Sequence, residues 1–130
     1  MNKTCPAPVC ALLNQGFDDV ARSLQTGSIQ SNDKMSGGIC DAIVTPAPGQ
    51  MTFPILKRLC SAGLVVTEEQ VLRAMALAFD RLKITIEPGG AVALAAALFH
   101  ADKIENDTIV AVASGGNVDR AMFKRALKEG

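Results

Sequence analysis

Tryptophan and tyrosine are missing from this 130-residue sequence, only one histidine is present, and the charges balance, with 13 basic and 13 acidic residues. A lone histidine without a nearby cysteine pair argues against a histidine-based zinc site and against a serine–histidine–aspartate triad. No run of Lys or Arg is present either, and phosphate recognition needs clustered positive charge. We therefore expect no nucleic-acid partner.

Long hydrophobic runs are also absent. The apolar stretch at residues 91–99 is too short to span a bilayer. The N-terminal segment lacks the charged start and the long apolar body of a signal peptide. We expect a soluble, cytoplasmic protein that does not contact a membrane.

The four cysteines have spacings that match neither a zinc ribbon nor a dense disulfide framework, and we expect them to be reduced: Cys5, Cys10, Cys40 and Cys60. Cys40 and Cys60 lie among aliphatic residues, which predicts small buried side chains. His100 follows an apolar, alanine-rich stretch, so we expect it to be a surface residue at a helix C-terminus, where the helix dipole favours imidazolium.

The order of patterns predicts one α/β domain. A chain of this size buries roughly two-thirds of its unfolded surface, and its 48% hydrophobic content is sufficient for one core. Short β-branched runs alternate with apolar residues at helical spacing. This alternation predicts a three-layer fold with a mainly parallel sheet flanked by helices.

The clearest predicted helix begins at Thr67, which forms a capping-box pattern with Gln70 ahead of apolar residues at helical spacing. Other helices are predicted at residues 18–27, 53–63 and 91–100 and after residue 117. The predicted strands are residues 41–45, 64–66, 84–86 and 108–113. The last of these is continuously apolar, as expected for a strand covered on both faces.

Two glycine turns join a predicted strand to a predicted helix: Glu87-Pro88-Gly89-Gly90 and Ser114-Gly115-Gly116-Asn117. At such turns, backbone N–H groups and the helix dipole are available to a ligand. Either motif taken alone is more often a tight turn than a binding site. The order of motifs along the whole chain is more specific.

Five motifs occur in order: Gly16-Phe17-Asp18-Asp19-Val20-Ala21-Arg22-Ser23-Leu24, Ile39-Cys40-Asp41-Ala42, Pro48-Gly49-Gln50-Met51-Thr52-Phe53-Pro54, Glu87-Pro88-Gly89-Gly90-Ala91 and Ser114-Gly115-Gly116-Asn117-Val118-Asp119. With these motifs the chain resembles the threonine/serine dehydratases and serine racemases of the fold type II pyridoxal-phosphate enzymes. The resemblance covers residues 16–130. It implies that the chain corresponds to a C-terminal fragment of the large cofactor domain.

The resemblance also implies roles for individual residues. Ser114 corresponds to the serine that hydrogen-bonds the pyridine nitrogen of pyridoxal phosphate, and Asn117 ends the same turn. Beside a hydroxyl that nitrogen is less protonated than beside an aspartate, so the ring is a milder electron sink, which suits elimination of a β-hydroxyl group. Glu87 corresponds to a glutamate near the cofactor, and Gly115 and Gly116 allow the backbone to pass close to the ring.

Two elements of the family are not found here. Relatives hold the cofactor on a lysine within a Ser-x-Lys-x-Arg-Gly type motif, and they bind its phosphate with a run of about four glycines. None of the seven lysines has that motif around it, and no run of glycines is longer than a pair. We therefore expect no catalytic residue in this chain and no cofactor bound to it alone.

Several relatives also bind Mg²⁺ through a glutamate and an aspartate, and here Asp19 matches the aspartate while Leu13 stands at the glutamate's position. One carboxylate is a poor cage for a hard cation, so we expect no metal. Residues 1–15 carry no family motif, and Pro6 and Pro8 limit strand pairing. We expect them to be a separate N-terminal segment.

These observations predict a truncated dehydratase-like protein that is inactive by itself. Two alternatives remain open, namely a self-associating binding module without catalysis and the C-terminal subunit of a split dehydratase with a separately encoded N-terminal half. Strand edges left uncovered favour a homodimer. Threonine and serine are equal candidates for the ancestral substrate.

Overall fold

The computed structural model describes residues 9–34, 36–104 and 107–129. Two strands form within these ranges, β1 at Val9–Asn14 and β2 at Cys60–Val66. The helices are α1 at Asp19–Thr26, α2 at Phe53–Leu59, α3 at Glu68–Leu77, α4 at Pro88–Phe99 and α5 at Arg120–Glu129. None of the helices in these ranges has the length and apolar content needed to cross a membrane.

β1 and β2 form a parallel pair, with Leu12 opposite Leu64 and Asn14 opposite Val66. Successive side chains of a strand point to opposite faces. A Cβ at Gly63 would lie against Ala21 of α1, whereas Leu64 and Val66 pack in the core with α3 and α4. Helices therefore cover both faces of the sheet, which confirms the predicted three-layer α/β fold with a parallel sheet.

The predicted capping box at the start of α3 is confirmed. The Gln70 N–H donates to Thr67 Oγ1 at 3.2 Å, and the Thr67 N–H donates to Gln70 Oε1 at 3.0 Å. A π-helical turn, Ala78–Leu82, continues α3 and ends at Lys83 in the left-handed region (φ 59°). The turn places Phe79 edge-on to Phe123 of α5, with 5.3 Å between the ring centroids.

Three of the predicted strands are wrong. Residues 41–43 form a short 3₁₀ turn, and residues 84–86 and 108–113 belong to no strand. The last segment is predicted to be covered on both faces, yet Val110 is 87% exposed and Val112 is 69% exposed. An apolar run becomes a strand only where another backbone pairs with it, and the described chain places none beside these residues.

The helix predicted at residues 53–63 ends at Leu59, because Cys60 already belongs to β2. Cys40 is fully buried as predicted, whereas Cys60 is only half-buried. His100 does follow α4, but it is half-buried and its Nε2 lies 3.3 Å from Gln70 Oε1. It therefore contacts the start of α3 and is not an isolated surface residue.

β1 lies within the stretch expected to be a separate segment. Val9–Asn14 pairs along its length with β2, and the side chains of Leu13 and Asn14 are buried. Residues 9–14 are therefore part of the domain's sheet, because their backbone pairs with that of β2. Cys5, Pro6 and Pro8 lie outside the described residues.

A buried carboxylate fixes the loop that follows α1. Asp19 is 1% exposed, and it accepts hydrogen bonds from Asn32 Nδ2 at 2.9 Å and from Thr45 Oγ1 at 3.3 Å. Arg22 donates to Asn32 Oδ1 at 2.7 Å. The side chains of α1 thus determine the path of a loop that lacks regular structure.

We predict that Gly63→Ala will destabilise the fold. The added Cβ would lie 2.6 Å from both Cα and Cβ of Ala21, so α1 must move away from the sheet. Overpacking of this kind costs about 1–3 kcal/mol, measured as a loss in the free energy of unfolding in urea.

The control is Gly49→Ala, whose Cβ would meet only the Thr52 hydroxyl at 3.0 Å. That side chain can rotate, so the loss should stay below about 1 kcal/mol. Equal effects of the two substitutions would show that the packing of α1 on β2 is looser than described.

Candidate functional site

The structure brings the two predicted glycine turns into contact. The Glu87 N–H donates to the Gly115 carbonyl oxygen at 2.9 Å. A Cβ on Gly90 would lie 2.8 Å from the Gly115 nitrogen and 2.9 Å from its oxygen. The two backbones therefore touch, and only glycine at position 90 permits this approach.

The Glu87 side chain also lies against Gly115. A Cβ on Gly115 would lie 2.6 Å from Glu87 Cδ, which no side chain can tolerate without displacing the carboxylate. Gly116 is also restricted, because its Cβ would lie 3.0 Å from the Thr85 carbonyl oxygen. The glycines of this turn are thus required by packing between the turns.

Ser114 precedes these glycines and is exposed. Within the described part of the chain its hydroxyl makes no hydrogen bond, so both its donor and its acceptor capacity remain for a ligand. A hydroxyl held on a turn that is fixed on both sides suits recognition of a ring nitrogen.

A cleft of about 400 Å³ opens beside the two turns. Its walls come from three segments: Gly38, Ile39, Asp41 and Ala42; Glu87, Pro88 and Gly89; Asn117, Val118, Asp119 and Met122. Of the predicted site residues, Glu87 and Asn117 line the cleft, whereas Ser114, Gly115 and Gly116 belong to the adjoining turn. Asp119 also caps α5, because its Oδ1 accepts from the Met122 N–H at 2.8 Å.

The charge of this cleft is negative. Its ionisable side chains are Asp41, Glu87 and Asp119, and its lining contains no Lys, Arg or His. An imine needs a lysine amine and a phosphate needs positive charge or a cradle of N–H groups. The residues present therefore fit the ring-nitrogen side of pyridoxal phosphate through Ser114, and they do not fit its aldehyde or its phosphate.

Sequence reasoning did not identify the wall formed by residues 38–42. Glu68 holds this wall, because its Oε1 accepts from the Ile39 N–H at 2.9 Å. Burial, and then the nearby charges of Glu68 and Asp41, raise the pKa of Cys40 to about 12. The thiol therefore stays protonated at neutral pH and is not a nucleophile. The Ile39-Cys40-Asp41-Ala42 motif is the feature of the sequence from which this wall could have been predicted.

Asp19, the match to the family's cation ligand, uses its carboxylate in hydrogen bonds within the protein. Both of its carboxylate oxygens accept hydrogen bonds, from Asn32 and Thr45, and the buried Leu13 provides no ligand oxygen on its side chain. Across residues 9–34, 36–104 and 107–129, no three His, Cys, Asp or Glu side chains cluster so that they could hold a metal ion.

Comparison with known proteins assigns the chain to the family that its motifs predict. A family model described as pyridoxal-phosphate dependent enzyme matches residues 2–115, a range that includes the N-terminal stretch in which no motif was found. Serine racemase from Dictyostelium discoideum is 39% identical over 115 residues, which cover 86% of this chain and 35% of the racemase. L-threonine ammonia-lyase from Thermotoga maritima is 32% identical over 92 residues, covering 71% of this chain and 23% of the lyase.

Solved structures agree with these sequence matches. A T.th. threonine deaminase superposes with a TM-score of 0.81 at 37% identity, over 86% of this chain and 37% of the deaminase. The Dictyostelium discoideum serine racemase superposes with a TM-score of 0.75 at 40% identity, over 86% of this chain and 36% of the racemase. This chain therefore spans little more than a third of the length of these relatives, and it belongs to the fold type II family of pyridoxal-phosphate-dependent enzymes that includes serine racemases and threonine ammonia-lyases.

Proposed function

We propose that this chain supplies the ring-nitrogen side of a pyridoxal-phosphate site that acts on serine or threonine, and that it is inactive by itself. The observation that carries the proposal is the pair of interlocked turns, which present a free Ser114 hydroxyl beside a cleft without a basic side chain. The names of the relatives support hydroxy amino acids as the substrate class. A cytoplasmic location is part of the same proposal.

When bound, pyridoxal phosphate supplies an electron sink for cleavage at the α-carbon of an amino acid. This chain would contribute the hydrogen bond from the Ser114 hydroxyl to the ring nitrogen, and its turns would hold Ser114 in position. Glu87 keeps the turn in place through its backbone N–H and its side chain, which lies over Gly115. The lysine and the phosphate cradle must come from elsewhere, and a complementary chain is the source that we propose.

Self-association is a second candidate function of the isolated chain, and exposed apolar residues favour it. Val110 and Val112 are mostly exposed, and Ile109 is 37% exposed. Leaving apolar surface in water costs about 25 cal/mol per Å². A two-fold dimer covers such a surface with its own copy.

We predict that the isolated chain will retain no pyridoxal phosphate. After incubation with the cofactor and desalting, the protein should be colourless, without the near-violet absorption of a pyridoxal imine on lysine. Full-length Dictyostelium serine racemase treated in the same way is the positive control. A yellow band that borohydride fixes onto one lysine of this chain would refute the prediction.

Ser114→Ala should leave the free energy of unfolding within about 1 kcal/mol of the unsubstituted chain, because the exposed hydroxyl has no partner to lose. Asn32→Ala is the contrasting variant, since it removes one of the two side chains that donate to the buried Asp19 carboxylate and should cost about 1–3 kcal/mol. Urea denaturation measures both. A Ser114→Ala loss as large as that of Asn32→Ala would mean that Ser114 is a structural residue.

Light scattering over a dilution series tests self-association. We expect the mass of a dimer at high concentration and its dissociation on dilution, because the apolar surface available is small. A monomer at every concentration would contradict this expectation.

A further inference from the structure

Asn32 is the centre of a buried polar cluster beside the start of α1. Its amide nitrogen donates to Asp19 Oδ1 at 2.9 Å and to the Thr45 carbonyl oxygen at 2.8 Å. Its amide oxygen accepts from Arg22 Nη2 at 2.7 Å, and its backbone N–H donates to the Pro46 carbonyl oxygen at 2.8 Å. This one residue therefore connects α1 to the segment at Thr45 and Pro46.

The carboxylate of Asp19 depends on this cluster because it is buried. The residue is 1% exposed, and a buried carboxylate is costly unless hydrogen bonds and positive charge compensate it. Asn32 Nδ2 donates to one of its oxygens, and Thr45 Oγ1 donates to the other at 3.3 Å. Both donors are neutral, and in the described part of the chain no charged group donates to Asp19 directly. The compensating charge therefore acts through one of these two donors.

Arg22 supplies that charge through the Asn32 amide. Its guanidinium donates to the amide oxygen, which polarises the amide so that its nitrogen becomes a stronger donor to Asp19. The guanidinium is itself held in place, because Nε donates to Asp18 Oδ1 and Nη2 donates to the Ser31 carbonyl oxygen, both at 3.1 Å. Guanidinium, amide and carboxylate thus form one chain of hydrogen bonds.

A divalent cation would compensate the same carboxylate, and by the family resemblance Asp19 corresponds to an aspartate that binds Mg²⁺ in several relatives. The residues present do not fit such an ion. Hard cations are bound by oxygen atoms. The two oxygens that could serve, Asp19 Oδ1 and the Thr45 carbonyl oxygen, both accept hydrogen bonds from the same amide nitrogen. A donor group thus stands between the oxygens that a cation would have to join.

We propose that the Asn32 amide, polarised by Arg22, takes the place of a divalent cation at Asp19, so that this domain is stable without one. The cluster also holds Thr45 and Pro46, which lie a few positions after the cleft wall at residues 38–42. The position of that wall is then independent of the supply of metal. One residue type decides between the two arrangements, because aspartate at position 32 would offer a ligand oxygen where the amide offers a donor.

Thermal unfolding of the chain, followed by circular dichroism, tests the first part of the proposal. The midpoint temperature Tm is measured in EDTA, in millimolar MgCl₂, and in NaCl of the same ionic strength. We expect MgCl₂ to change Tm by less than about 1 °C relative to NaCl, because a ligand stabilises only a protein that binds it in the folded state. A larger rise that is specific to MgCl₂ would overturn the proposal.

Asn32→Asp tests the role of the amide. The new carboxylate would lie next to that of Asp19, so we expect a lower Tm in EDTA from the repulsion of like charges. Mg²⁺ should then restore stability, with Tm rising by about 5 °C for each tenfold increase in Mg²⁺ above its Kd. Gln50→Glu makes the same exchange of amide for carboxylate at an exposed residue, and its Tm should be as insensitive to Mg²⁺ as that of the unsubstituted chain.

Two further variants separate the position of the amide from the loss of charge. Asn32→Ala removes the amide without adding a carboxylate, and we expect Mg²⁺ to raise its Tm less than that of Asn32→Asp, since Mg²⁺ retains several waters and needs only one or two carboxylates. Arg22→Gln removes the positive charge but leaves the amide in place, so its lower Tm should not recover with Mg²⁺.

Asn32→Ala also decides the matter if Asn32→Asp does not fold in either condition. Folded position-32 variants that are as insensitive to Mg²⁺ as the unsubstituted chain would overturn the proposal, because the amide would then not occupy a potential cation site. Recovery of Arg22→Gln with Mg²⁺ would overturn it as well, since the ion would then act on net charge and not at the position of the amide.

Discussion

The contact between the backbones of Gly90 and Gly115 is the constraint on which the candidate site depends. It joins the start of α4 to the turn ahead of α5, two parts of the chain that lie 25 positions apart in sequence. The Glu87 N–H adds a hydrogen bond to the same Gly115 carbonyl. A side chain at Gly90 would clash with the Gly115 backbone, and one at Gly115 would displace the Glu87 carboxylate, so either would disturb the turn that carries Ser114.

The sheet and its covering helices hold that contact in place. α4 packs on the same face of the sheet as α3, and their buried residues form one core with Leu64 and Val66 of β2. The capping box at Thr67 fixes where α3 begins, and Glu68 in its first turn holds the Ile39 backbone at the opposite wall of the cleft. One helix start therefore determines both a core element and a wall of the site.

One part of the molecule is well packed and another leaves apolar residues exposed, which is consistent with a domain that forms its site together with another part of the protein. The face between α1 and β2 is tightly packed, and the carboxylate of the buried Asp19 accepts hydrogen bonds from Asn32 and Thr45. Residues 108–112 differ, because their apolar side chains are exposed and their backbone groups make no hydrogen bond to the described part of the chain. The residues that adjoin the exposed segment are those that family resemblance assigns to the cofactor.

Local patterns in the sequence determined the helices, the capping box and the glycine turns, because these depend on residues a few positions apart. The motif order also determined the family, and it predicts that Glu87 and Ser114 belong to one site. Strands were predicted poorly, since residues 84–86 and 108–113 have the composition of strands but pair with no strand of the described chain. Tertiary structure alone decided that Val9–Asn14 pairs with β2, that residues 38–42 form a wall of the cleft, and that Glu87 covers Gly115. Each of these depends on contacts between segments distant in sequence, which periodicity and spacing do not encode.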